Sequence, residues 1–199
     1  MYEHKDLAGI TRIATVVLWV FMSLSALFGL SELYIHILSP QPDGGPLASG
    51  TAILALVNLI VMIVTFVVVG RWIYRASVNA HATGAEMTIT PGWAVGWYFV
   101  PIANLFKPFQ AMKEIWLASH YQPLYETAPP LLSAWWALWI VSNVLGNISF
   151  RLSADQASLA AMLDFADGIL HVVLSLLLMT IMKQVMAGQD LARRSAIFA

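Results

Sequence analysis

Two sets of side chains have the types and spacing to do chemistry in an apolar setting: Glu32 with His36, and Asp164 and Asp167 with His171. Steps of three and four residues put each set on one face of a helix. Carboxylates beside imidazoles can exchange protons, hold a cation or bind a polar ligand. Asp-x-x-Asp-x-x-x-His on one helix and Glu-x-x-x-His on another also offer enough donors for a divalent metal shell. All five lie in long apolar runs, where an ionised side chain costs at least ~2.5 kcal/mol near the middle of a bilayer. Asn58 adds a neutral polar group, and Asn143 and Asn147 step by four toward Arg151. A purely structural account competes with every one of these readings: interhelical hydrogen bonds, helix caps and an Asp to Arg151 pair.

The elements that carry these residues follow from composition. The chain has 199 residues, 59% hydrophobic and 11% charged, which is outside the soluble range and indicates an all-α polytopic membrane protein. Four segments are long and apolar enough to cross a hydrocarbon core of roughly 30 Å: about 13–38, 51–70, 131–150 and 159–182. The first is roughly 39 Å long as a helix, too long for a cleaved signal and therefore a retained span. Without two-residue alternation these segments are helices and not barrel strands. Between the first two, SPQPDGGPLASG reads as a turn-rich loop. Measured from segment midpoints, Glu32, Asn147 and Asp164 fall roughly 10 Å toward the outer side, with Asn58, Asn143 and Asp167 nearer the middle. One outward-opening polar pocket is the expectation.

TPGWAVGWYFVPIANLFKPFQAMKEIW, from Thr90 to Trp116, is the exception to this pattern. Only about 14 apolar-leaning residues precede Lys107, and Pro101, Asn104 and Pro108 interrupt it, so a re-entrant or interfacial element over about 91–119 is expected. Charge agrees. If this stretch does not cross and the N-terminus is inside, nine of the ten Lys and Arg residues lie in the cytoplasm, leaving Arg151 outside. If it crosses, the split becomes five and five. Both termini are therefore expected in the cytoplasm. Trp72, Trp93, Trp97, Trp116, Trp135 and Trp136 then fall near the inner surface, and Phe109, Met112, Ile115 and Trp116 form the apolar face of a helix in the headgroup plane. Arg71, Arg75, Lys107 and Lys113 beside Trp93, Trp97 and Trp116 make a candidate surface for anionic lipid or a partner. Snorkelling and topology alone also account for those cations. Asn79 reads as a cap or turn residue, and His4, His81 and His120 as solvent or interfacial residues. Gly92 and Gly96 form a small-x-x-x-small pattern.

RWIYRASVNA, the aromatic stretch above and WWALWIVSNVLGNISFRL resemble the bacterial membrane family called domain of unknown function 4328. The resemblance covers roughly 71–152. It implies a multi-span protein of the bacterial cytoplasmic membrane and supplies no catalytic residue. After EIW the chain departs from the family pattern, with Leu117, Ala118, Ser119, His120 and Tyr121 in place of an Arg-Ala-Ser-Asp-Pro-like run.

A net charge of −1 with no nucleic-acid motif argues against nucleic acid as a partner. With no cysteine, neither disulfides nor thiolate metal sites are available. Zinc-protease, nucleophile-elbow and phosphate-loop motifs are absent, and no cofactor is predicted beyond the possible divalent metal. The leading expectation is a non-enzymatic scaffold or regulatory component that binds lipid, a protein partner or a second copy through the aromatic layer. The alternatives are a small transport component using the acidic and histidine residues, and a metal-dependent intramembrane enzyme.

Overall fold

A computed structural model gives the structure of the protein over residues 4–38, 45–152 and 154–197. All regular structure among them is helical: α1 (Ala8–Leu33), α2 (Gly45–Ala82), α3 (Pro91–Gly96), α4 (Lys107–Ser119), α5 (Pro130–Arg151) and α6 (Ala157–Ile197). A π-helical turn, Tyr34–Leu38, continues α1, and short 3-10 turns lie at Trp97–Phe99, Ala103–Leu105 and Ala154–Gln156. Four helical stretches are long and apolar enough to cross a bilayer: Ala8–Leu38, Ser49–Ala82, Pro130–Arg151 and Ala157–Leu191. Their number matches the sequence expectation.

Their limits do not. The second helix runs twelve residues beyond Gly70, because RWIYRASVNAHA contains no breaker and buries Trp72, Ile73, Ala76, Val78 and Ala80. It also starts at Gly45, inside the expected loop. Pro46 is tolerated in the first turn, where its missing N–H has no intrahelical partner to lose. The rest of that loop, 39–44, lies outside the described residues, as do the side chains of Arg193 and Arg194. The last helix passes Met182 and reaches Ile197.

The chain divides into two compact units, Met1–Thr15 with Phe66–Trp136 and Leu177–Ala199, and Val16–Thr65 with Ala137–Leu176. In the first unit a buried polar network ties distant segments together. Asn79, 1% exposed, accepts from the Lys5 N–H at 2.7 Å and donates to the Lys5 carbonyl at 2.8 Å and to Gln189 Oε1 at 2.9 Å. Gln189 in turn donates to the Ala76 carbonyl at 3.0 Å and to Ser119 Oγ at 2.9 Å. Both hydrogens of each carboxamide are used, which makes this burial tolerable. Asn79 is therefore neither a cap nor a turn residue. Close beside it, Gly188 meets the end of α4: a Cβ there would lie 2.3 Å from the Ser119 carbonyl oxygen. Ser77 Oγ is the one buried side-chain polar atom among the described residues without a hydrogen-bond partner.

The apolar face of α4 packs against protein instead of lying in a headgroup plane. Met112, Ile115 and Leu117 are fully buried, so the departure from the family pattern at Leu117–Tyr121 begins in the core. Trp72, Trp116, Trp135 and Trp136 are buried with them, and the Trp72 indole N–H donates to Thr11 Oγ1 at 2.9 Å. Among the described residues nothing lies within 4 Å of a Cβ placed on Gly92, and the nearest neighbour of one on Gly96 is the ring of Trp93.

In the second unit α1 and α6 touch backbone to backbone. A Cβ on Gly29 would lie 2.8 Å from the Asp164 carbonyl oxygen, and one on Gly168 would lie 2.8 Å from that of Ser25. Small residues at such points let membrane helices approach closely. Ser25 Oγ donates to Asn58 Oδ1 at 3.2 Å, adding α2 to the pair.

Candidate functional site

In the second unit, α1 and α6 bring together five of the residues singled out by type and spacing. Glu32 Oε2 lies 3.3 Å from His36 Nε2, one turn along the same helical face. Asp164 is close enough to interact electrostatically with both, and with Asp167 on its own helix. His171 Nε2 lies 3.9 Å from Asp167 Oδ2, and the Phe21 ring covers the imidazole at 4.9 Å between centroids. Because α6 begins at Ala157, Asp164 is two turns inside the helix and is not an N-terminal cap.

Two serines of α5, unnoticed in the sequence, complete the group. Ser142 Oγ donates to Asp167 Oδ1 at 2.5 Å and Ser149 Oγ to Asp164 Oδ1 at 2.6 Å. Their seven-residue spacing, two turns on one face, is the signal that could have found them. Ser142 Oγ also lies 3.4 Å from His171 Nε2. This is not a nucleophile triad, which needs the imidazole between hydroxyl and carboxylate; here the hydroxyl bonds the carboxylate directly. What the arrangement can do is hold or pass a proton among a carboxylate, a hydroxyl and an imidazole.

The remaining polar candidates lie elsewhere. Asn58 sits with Ser25, while Asn143 and Asn147 are exposed on α5 and donate to the carbonyls one turn back, Trp139 and Asn143, each at 2.8 Å. The aspartates bond serines, and Arg151 is exposed. Among the described residues no group of three His, Asp or Glu side chains could hold a metal ion. Glu32 with His36 and Asp167 with His171 remain pairs.

The first unit presents the aromatic segment. Thr90 is extended (φ −66°, ψ 156°), Pro91 opens α3, and six residues rise only about 9 Å, far short of a bilayer. Glu114 of α4 fixes the approach, accepting from the Thr88 N–H at 3.0 Å, the Thr88 hydroxyl and the Ile89 N–H at 3.2 Å. Beyond Pro101, Ile102 has φ 66°, a left-handed backbone rarely adopted by a β-branched residue. The strained turn presents Phe99 (80% exposed) and Ile102 (77%), with Trp93, Leu105 and Phe106 also exposed. Trp136 anchors it from behind, its indole N–H donating to the Leu105 carbonyl at 3.0 Å and its ring meeting Tyr98 and Phe109. Burial raises the Tyr98 phenol above its ordinary range, keeping it neutral.

At the end of the segment the Lys107 ammonium lies 6.0 Å from the Trp97 ring and 5.9 Å from the Phe106 ring, and it donates to Gln110 Oε1 at 3.0 Å. Arg71 is exposed; Arg75 and Lys113 are half-buried. Trp116 does not belong to this surface: it is 8% exposed and stacks on His120 at 4.5 Å.

A family model for the domain of unknown function DUF4328 matches residues 49–187, well over half of the chain. The chain belongs to the DUF4328 family. No curated protein and no solved structure gave a match. The DUF4328 region takes in α2 from Ser49, α3 to α5 and most of α6, including Asp164, Asp167 and His171 and the whole aromatic segment; Glu32 and His36 precede it.

Proposed function

We propose that this protein is a non-enzymatic component of the bacterial cytoplasmic membrane whose aromatic segment engages anionic lipid at the inner face, as part of a scaffold or regulatory assembly. One observation carries the reading. Phe99 and Ile102 stand out on a strained turn, and Lys107 follows at once with its ammonium over two aromatic rings. Apolar tips beside a cation suit the boundary between acyl chains and headgroups. With the N-terminus inside, the cations Arg71, Arg75 and Lys113 fall on the same side of the membrane.

Reconstitution in nanodiscs containing equal phosphatidylglycerol and phosphatidylcholine, followed by native mass spectrometry of retained lipid, tests this. The parent is expected to retain phosphatidylglycerol preferentially. Lys107→Gln with Phe99→Ser is expected to lower that preference about fivefold, the equivalent of ~1 kcal/mol per basic residue near a charged surface. Equal retention by parent and variant rejects the reading.

A second reading, proton or cation handling within the bilayer, draws on Ser142 Oγ lying between Asp167 and His171. In proteoliposomes under a pH gradient the parent is then expected to dissipate the gradient faster than empty vesicles. Asp167→Asn would slow this by roughly 100-fold if its carboxylate relays the proton. Parent vesicles no leakier than empty ones dispose of this alternative.

A further inference from the structure

The outward face of α5 carries a feature that neither lipid binding nor proton handling uses. Asn143 and Asn147 are both exposed on a helix that spans the membrane. Each donates one N–H to a carbonyl of its own helix. A carboxamide has two N–H groups and an acceptor oxygen, so one hydrogen and the oxygen of each have no partner among the described residues. Lipid tails cannot satisfy them, and an unsatisfied polar group in hydrocarbon is costly. Water and headgroups reach the helix end, some four residues or roughly 6 Å from Asn147, but Asn143 lies eight residues before Arg151, roughly 12 Å along the axis. Half-buried Ile140 and exposed Phe150 lie on the same helical face, three residues before and after the two amides, giving a polar stripe with apolar ends. That is the composition of a helix–helix contact within a membrane.

We infer that two copies of this chain pair in the membrane through α5, with Asn143 and Asn147 hydrogen-bonding across a two-fold axis. The occupant follows from the chemistry of the stripe. Two copies inserted with the same topology present parallel α5 helices, so each asparagine meets its own equivalent. As both donor and acceptor, a carboxamide is complementary to itself, and the four-residue spacing repeats on both sides. The exposed face of α2 offers no such match: Ile53, Leu56, Ile60 and Val67 suit acyl chains.

The absence of cysteine makes the test clean. Ile140→Cys and Phe150→Cys, each introduced alone with both asparagines intact and both on the asparagine face of α5, are expected to form disulfide-linked dimers on mild oxidation in native membranes, whereas Ile60→Cys on α2 is not. Adding Asn143→Val and Asn147→Val to the Phe150→Cys chain is expected to lower the cross-linked fraction about tenfold at a fixed protein-to-lipid ratio. Single-molecule photobleaching in lipid is expected to give mostly two-step traces for the parent. The inference is overturned if photobleaching finds single copies, if α2 cross-links as readily as α5, or if the asparagine variants pair undiminished.

Discussion

Gly188→Ala is expected to unfold the first unit at a markedly lower temperature than the parent. A Cβ at this position would sit 2.3 Å from the Ser119 carbonyl oxygen, whereas real Cβ contacts essentially never fall below 3.0 Å. The obstructing atom is backbone, so no rotamer change relieves it; α6 or the end of α4 has to move. Movement there also disturbs Gln189, the next residue, and its bonds to Ala76 and Ser119. Overpacking of this kind costs ~1–3 kcal/mol before the lost hydrogen bonds are added. A total of about 3 kcal/mol corresponds to a fall of roughly 6–12 °C in Tm for a chain of this length. Tryptophan fluorescence on a thermal ramp reads it directly. Gly9→Ala, with nothing within 4 Å of the new methyl, is the matched control and should leave Tm unchanged or slightly raised. Equal Tm values for Gly188→Ala and the parent would contradict the close contact.

Gln189→Leu is the second substitution of large expected effect. It leaves the Ala76 carbonyl, the Ser119 hydroxyl and one Asn79 N–H without the partners they have in the folded protein. Ser119 Oγ keeps its bond to the Ile115 carbonyl and the Ala76 carbonyl stays in the α2 ladder. The Asn79 N–H is therefore the group orphaned outright, at about 1–3 kcal/mol; with about 0.5–1.5 kcal/mol for each of the two other lost bonds, the total is roughly 2–5 kcal/mol once some relaxation is allowed. Asn79→Leu should cost a similar amount by orphaning both backbone groups of Lys5 as well as Gln189 Oε1. Because the two amides share a bond, the double variant should lose about 1 kcal/mol or more less than the sum of the single losses. Hydrogen exchange supplies an independent readout: the Lys5 amide, which donates to Asn79, should exchange faster in Asn79→Leu than in Gln189→Leu. Strict additivity of the two substitutions would count against a shared network.

Hydrophobicity and proline placement revealed the four long helices and the failure of the aromatic segment to form a fifth. Length and the missing N–H groups are local properties, so they can be read without knowing what packs where. What covers an apolar face cannot be read the same way. Met112, Ile115 and Trp116 have the spacing of a membrane-surface helix, yet protein covers them, because indole and methionine suit a core as well as an interface. Asn79 looked like punctuation near a helix end because its partner lies 110 residues away. Gln189 gave a readable clue: Leu178, Met182 and Val185 are buried at steps that carry the same stripe to position 189. Within the polar candidates, the four-residue steps placed Glu32 with His36 and Asp167 with His171. Periodicity did not tell which side of α5 its asparagines occupied, since carboxamides serve both as internal ties and as contacts between chains.

The distance between Asn79 and Gln189 also has a temporal meaning. At about 5–20 residues per second, the ribosome needs roughly 5–20 s to deliver the second amide after the first. Throughout that interval Asn79 waits on a nascent chain with its eventual partner still unmade, while the earlier helices are already entering the lipid. Final locking of this unit is therefore a late event in biogenesis, and quality-control proteases have their widest opportunity before it.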